Sequence, residues 1–220
     1  MHGYFLVDMD GVLLDTIEPA FEARGIRGGT HISNFYREVF LYAPMSQFLR
    51  TSASRRLNQD PQLREDTLEF VAYMQSLGLA PVFQTRNPTR QLHKVREVLE
   101  AKEIRNPFVR FVERGDHGVM VDDKKALFSL QDDPLDAIGA AISGVPVIFL
   151  RGSYNRTAAK IFSSLNENVH VVDYIGSKAR EIAIGEIRNN NIYVVPNYAP
   201  AALAIGEAIA QHNMHSRITR

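Results

Sequence analysis

Short apolar runs separated by amphipathic stretches set the pattern of the chain. Tyr4-Phe5-Leu6-Val7 is β-prone and stops at Asp8, as a buried strand would. Runs of the same kind recur at Pro81–Thr85, Phe108–Val112, Ala126–Gln131 and Val145–Leu150. Between them the apolar spacing becomes helical. Asp66 is expected to cap a helix with Phe70, Val71, Met74 and Leu77 on one face and Gly78 at its end. Asn87 is placed to cap a second, with Pro88 at its first position and Leu92, Val95 and Leu99 facing inward. Pro134 opens a third, Leu135 to Ser143, stopped by Gly144. Strands alternating with helices predict an α/β fold: a three-layer, Rossmann-like parallel sheet covered on both faces. Ligands of such sheets gather beyond the carboxyl ends of the strands. Gly118–Val121 reads as a short additional strand.

Two regions depart from this alternation. Residues 17–65 hold the loop Arg24-Gly25-Ile26-Arg27-Gly28-Gly29 and a helical stretch rich in aromatics, Phe35, Tyr36, Phe40, Tyr42 and Phe48. They read as a small helical cap inserted after the first strand, so the core comprises residues 1–16 and 66–160. Residues 161–220 restart the pattern as a βαβα extension, with strands at Val169–Val172 and Ile192–Val195 and helices through Ala179–Ile187 and Ala201–Ala210. That extension either lengthens the sheet or forms an appendage. It offers two roles, homo-oligomer formation or covering the site.

Composition narrows the function. The 220 residues carry 25 Lys+Arg against 25 Asp+Glu, a formal net charge of zero, which disfavours nucleic acid or an anionic membrane as the main partner. Apolar residues at 45% and charged ones at 23% fit a folded globule, not a disordered chain. There is no cysteine, which excludes disulfides, thiolate metal sites and a thiol nucleophile. No apolar run approaches the ~18 residues of a membrane helix, and the first residues lack the basic flank of a signal peptide. A cytoplasmic location is expected. His212 and His215, the one close histidine pair, lie in a polar tail without a nearby carboxylate and read as tail, not as a zinc site.

The chemistry concentrates at strand ends. Asp8-Met9-Asp10-Gly11-Val12-Leu13-Leu14-Asp15-Thr16 follows the first strand directly, and Gly11 lets the backbone turn sharply there. Two carboxylates so placed suit a hard divalent cation, normally Mg²⁺. The second strand ends in Thr85, and the fourth in Asp132-Asp133-Pro134-Leu135-Asp136. Lys124 and Lys125 precede the fourth strand, where a lysine can offset carboxylates that would otherwise repel one another.

These motifs, in this order over residues 4 to about 156, resemble the haloacid dehalogenase-like superfamily of phosphotransferases. The resemblance implies a Mg²⁺-dependent phosphomonoesterase with Asp8 as nucleophile, forming an aspartyl-phosphate. It implies Asp10 as the acid that protonates the leaving oxygen and then the base that activates water. Thr85 and the backbone N–H groups after it would bind the phosphoryl oxygens, with Arg86, Asn87 and Lys125 as further substrate contacts. Lys124 or Lys125 would orient Asp8; Lys124 is preferred. Mg²⁺ would lie between Asp8, the carbonyl of Asp10 and Asp132, with Asp133 or Asp136 holding its waters. Arg86 stands where a small residue is usual in this superfamily. Within the superfamily, the segment Val147–Arg156, the compact cap and the Asp123-Lys124 step are similar to 5′(3′)-deoxyribonucleotidases, with Ser153 in place of a proline. That implies nucleoside monophosphates as substrates, with Phe35, Tyr36, Phe40 or Phe48 as candidates to stack on the base, although packing in the helix core is the first reading of each. Arg50, Arg55 and Arg56 form a basic cluster in the cap that reads first as a solvated helix face, with contact to a second phosphate or a polynucleotide backbone as the alternative. Three alternatives stay open: a polynucleotide 3′-phosphatase, a sugar-phosphate or phosphoglycolate phosphatase, and a non-catalytic module that binds a phosphorylated ligand.

Overall fold

Alternation of side chains along the first strand divides the core into two. The computed structural model describes residues 3–15, 63–85, 92–112, 119–121, 124–165 and 168–189. In it β1 (Tyr4–Asp8) sends Phe5 and Val7 into one apolar cluster and Tyr4 and Leu6 into another, on opposite faces of the sheet. The following elements are α1 (Glu65–Ser76), β2 (Ala80–Thr85), α2 (Leu92–Ala101), β3 (Phe108–Phe111), β4 (Met120–Val121) and β5 (Lys124–Lys125). After these come β6 (Ser129–Gln131), α3 (Pro134–Ile142), β7 (Val147–Leu150), α4 (Arg156–Leu165), β8 (Val169–Val172) and α5 (Ser177–Asn189).

Six strands form one sheet in the order β3-β2-β1-β6-β7-β8, with every neighbouring pair parallel. β4 and β5 make a separate antiparallel pair. From β1 the chain winds outward through β2 and β3, then returns to the other side of β1 for β6, β7 and β8. The strand order therefore reverses between β1 and β6, and a crevice opens at their carboxyl ends. This is the three-layer, Rossmann-like architecture that the alternation predicts.

On one face α1, α2 and α5 cover Phe5, Val7, Phe83, Ile148 and Leu150. Phe5 stacks on Phe128 at 5.1 Å between ring centroids, and Phe70 from α1 meets both edge-on at 6.1 Å. On the other face, alanines at 137, 140, 141, 158 and 159 let α3 and α4 approach the sheet closely. No helix among the described residues is long and apolar enough to cross a membrane.

Several boundaries differ from the expected ones. β6 is shorter than Ala126–Gln131, because residues 127 and 128 bond only toward β1 (Leu127 N–H to Tyr4 O, 2.9 Å; Leu6 N–H to Phe128 O, 3.1 Å). β7 starts at Val147, after Pro146, which has no N–H to donate. α1 starts at Glu65 with Arg64 at its cap position and no side-chain cap, so Asp66 does not cap it. Asp66 lies in the first turn instead, where it pairs with Arg64 at 3.1 Å and accepts the Ile175 N–H at 3.1 Å. That second bond ties α1 to the segment between β8 and α5. β8 pairs with β7, so this part of the extension lengthens the sheet. Helix α4 has no counterpart in the expected pattern. The proposed strand at 192–195, the helix at 201–210, the histidines of the tail, the Asn87-Pro88 helix start and the cap up to residue 62 lie outside the described residues.

Candidate active site

The turn after β1 is built so that apolar residues anchor it and carboxylates are left at its surface. Met9 N–H continues the ladder to Gln84 O (2.9 Å), one residue past the strand. The chain then folds back, with Leu13 N–H on Asp8 O (3.2 Å), Leu14 N–H on Met9 O (2.7 Å) and Gly11 N–H on Leu14 O (2.8 Å). Met9, Val12, Leu13 and Leu14 are fully buried, whereas Asp8 and Asp10 are only partly so. Gly11 sits at φ +99°, and a Cβ there would stand 2.0 Å from Asp132 Oδ2. A left-handed backbone and contact with a carboxylate both require glycine. Helix α1 locks the turn from behind: Thr67 Oγ1 donates to Val12 O (2.8 Å), and Arg64 N–H to Leu13 O (2.9 Å).

Three other residues join this turn. Thr85, buried at the end of β2, donates its hydroxyl to Asp10 Oδ2 at 3.0 Å. Asp132, the first residue after β6, is fully enclosed and lies against Asp8. Asp133 caps α3 by accepting the Leu135 N–H at 2.7 Å. Asp136 lies in the first turn of the same helix. Burial first, then the charge of Asp132, pushes the Asp8 carboxyl well above the usual carboxylate range. Asp10 and Asp133 add to that push.

The structure thus brings Asp8, Asp10, Thr85, Asp132 and Asp133 to one rim, at the reversal of strand order. Arg86 and Asn87 lie outside the described residues. Neither lysine reaches the rim, which corrects the expectation for Lys124 and Lys125. Leu127 pairs with Tyr4, so the residues before it stand beside or below the start of β1, while Asp8 is at its end, about 13 Å of strand rise away. The Lys124 carbonyl accepts from the Tyr4 hydroxyl, and Lys125 Nζ lies 2.8 Å from where a Gly144 Cβ would be, just past the end of α3. Both lysines are exposed.

Three residues at the rim carry no role in the sequence reading. The Tyr154 hydroxyl donates to Asp132 Oδ2, and Asn155 Nδ2 donates to the Asp132 carbonyl at 2.8 Å. Arg64 forms two hydrogen bonds to Asp66, at 3.1 and 3.3 Å. Burial opposes the charge of Arg64, but the hydrogen bond and charge of Asp66, with Asp15 and Tyr154, outweigh it and raise its pKa above the ordinary value. The signal for Tyr154 and Asn155 was available: they follow an apolar strand next to the strand reversal. Arg64 gives none, because its position depends on the return of the chain from residue 62.

The donor set fits a divalent cation of the Mg²⁺ kind. It is made of oxygen alone, and its carboxylates crowd where positive charge would relieve them. Among the described residues no three His, Asp or Glu side chains form a ready-made shell. Mg²⁺ needs no more than one or two carboxylates, since it keeps several of its waters, and Asp8 and Asp132 are in contact.

No family model matches the chain, and no curated protein matches it. Among solved structures it is similar to a predicted phosphatase from Clostridium acetobutylicum, with TM-score 0.50 and 13% identity over 86% of this chain and 99% of that one. A hydrolase from Pseudomonas syringae gives TM-score 0.45 and 14% identity, covering 82% of this chain and 98% of the other. A haloacid dehalogenase-superfamily hydrolase from Ehrlichia chaffeensis gives 0.34 and 11%, covering 84% and 97%. The likeness to the first is one of fold, and it spans nearly the whole of that chain.

Proposed function

We propose that the chain is a Mg²⁺-dependent phosphomonoesterase that works through an aspartyl-phosphate and takes nucleoside monophosphates. The observation that carries this reading is the meeting of Asp8, Asp10 and Asp132 at the carboxyl ends of β1 and β6, with Asp8 and Asp132 in contact. The shared fold of a predicted phosphatase agrees with it.

Asp8 and Asp132 would hold the cation, with the Asp10 carbonyl. Bound there, it would supply the positive charge that lets an anionic carboxylate approach an anionic phosphate. An Asp8 carboxylate oxygen forms a bond to phosphorus as the P–O bond to the leaving alcohol breaks. The Asp10 carboxylic acid gives its proton to that leaving oxygen. Asp10, now a carboxylate, takes a proton from the water that attacks phosphorus, and phosphate departs as the Asp8 carboxylate is restored. The Thr85 hydroxyl, bonded to Asp10, fixes the direction in which this proton moves. Support for a nucleotide is the segment Val147–Arg156, whose Tyr154 and Asn155 stand at Asp132.

The test is hydrolysis of a panel in Mg²⁺, with EDTA as control. The panel holds nucleoside 5′- and 3′-monophosphates, sugar phosphates and a 3′-phosphorylated oligonucleotide. Preference for a monophosphate nucleoside, lost in EDTA, is expected. Turnover of none of them would overturn the reading.

A further inference from the structure

Asp132 is held by a loop to which the reaction assigns no step. After β7 the chain turns through Gly152 and Ser153 to Tyr154, a buried residue whose hydroxyl donates to Asp132 Oδ2. The same oxygen is packed against the backbone of Gly11, where a Cβ would stand 2.0 Å away. Asn155, fully buried, donates through Nδ2 to the carbonyls of Asp132 (2.8 Å) and Leu150 (3.1 Å), while its Oδ1 accepts the Gly152 N–H (2.8 Å). One amide therefore joins the end of β6, the end of β7 and the turn between β7 and α4.

We infer that Tyr154 is a positioning residue that fixes the Asp132 carboxylate for cation binding, with Asn155 fixing the backbone beneath it. Oδ2 accepts from the phenol and lies close against Gly11, so two contacts on one oxygen restrict how the carboxylate turns toward Asp8. Partners of this kind behind a ligand orient it and raise affinity without touching the ion. The inference rests on reading Asp8 and Asp132 as cation ligands.

Tyr154→Phe removes the hydroxyl and keeps the ring. Binding of Mn²⁺, a paramagnetic stand-in for Mg²⁺, is measured by electron paramagnetic resonance on wild type and variant, alongside thermal unfolding and p-nitrophenyl phosphate kinetics. The variant is expected to bind Mn²⁺ ~10-fold or more weakly, to unfold in one cooperative transition, and to keep its KM for p-nitrophenyl phosphate nearly unchanged at saturating metal. Equal Mn²⁺ affinity in the two proteins overturns the inference and leaves the phosphatase reading standing. No Mn²⁺ binding by the wild type overturns the cation reading and this inference with it. Should the variant not fold, wild type labelled with fluorotyrosine serves. One of its eight tyrosine resonances must move when Mg²⁺ is added and stay still in Asp132→Asn; eight unmoved resonances overturn the inference.

Discussion

The two rims of the sheet obey opposite rules. At the amino ends of the central strands, polar groups answer one another. The Tyr4 hydroxyl reaches the carbonyls of Val119 (2.8 Å) and Lys124, and the Lys125 ammonium lies beside Gly144, past the negative end of helix α3. At the carboxyl ends, Asp8, Asp10, Asp132 and Asp133 stand near one another, and burial first, then these neighbouring charges, raise the Asp8 carboxyl. The first rim is arranged for stability. The second gathers like charges that a folded chain would avoid unless something of opposite charge used them.

Asp8→Asn is the most direct way to break this comparison. It keeps size and hydrogen bonding but removes the nucleophile, and p-nitrophenyl phosphate hydrolysis should fall by roughly 10³-fold or more. Retained turnover would leave the crowded rim without its proposed purpose. Asp10→Asn should cost ~10²–10⁴-fold, the worth of a positioned acid and base. Thr85→Val removes the hydroxyl that bonds Asp10, and its loss should be about tenfold, near the value of one hydrogen bond. If Thr85→Val equals Asp10→Asn in effect, the hydroxyl contacts the phosphate as well.

Much of this was legible in the chain itself. Strand type and order of appearance followed from apolar runs, and Asp8, Asp10, Thr85 and Asp132 stood out because each stands at or just past the end of a run. The lysines were misplaced for a physical reason. Spacing along the sequence says how far Lys124 precedes Asp132, but not that residues 127 and 128 already run beside β1. That pairing carries the earlier residues to the far rim. Asp66 looked like a cap from its neighbours, yet besides Arg64 and Thr67 it is held by the Ile175 N–H, more than a hundred residues away. Local pattern cannot register a partner at that distance.

Two glycines sharpen the contrast between the rims. Gly11→Ala must strain a backbone at φ +99° and displace Asp132, because the new Cβ meets a buried carboxylate. A loss of ~1–3 kcal/mol in stability is expected, with activity falling alongside it. Gly144→Ala also strains a positive φ, of +68°, but its Cβ meets only the mobile end of Lys125. It should cost ~1–2 kcal/mol in chemical denaturation and leave turnover intact. pH separates the rims further. The raised Asp8 carboxyl keeps its proton to higher pH in the folded chain than in the unfolded one. The contribution of this group is therefore most favourable at acidic pH, and is lost as pH rises from the usual carboxylate range through the raised folded value. Asp8→Asn should flatten that decline and raise the melting temperature of the metal-free chain at neutral pH, and saturating Mg²⁺ should do the same for the wild type.

Lys125→Ala carries the smallest expected effect and the cleanest discrimination. If the ammonium serves the end of α3, its removal takes away an exposed charge beside a helix terminus. That is worth ~0.3–1 kcal/mol at most and is screened by salt. Hydrolysis of p-nitrophenyl phosphate should then match the wild type, and Lys124→Ala should behave alike, because its carbonyl, not its ammonium, makes the contact with Tyr4. A hundredfold loss in either variant, with stability unchanged, would mean that a lysine does orient Asp8 and that the segment before β6 crosses to the carboxyl rim. The charge that balances the carboxylates would then come from the chain itself, and the division between the two rims would fail.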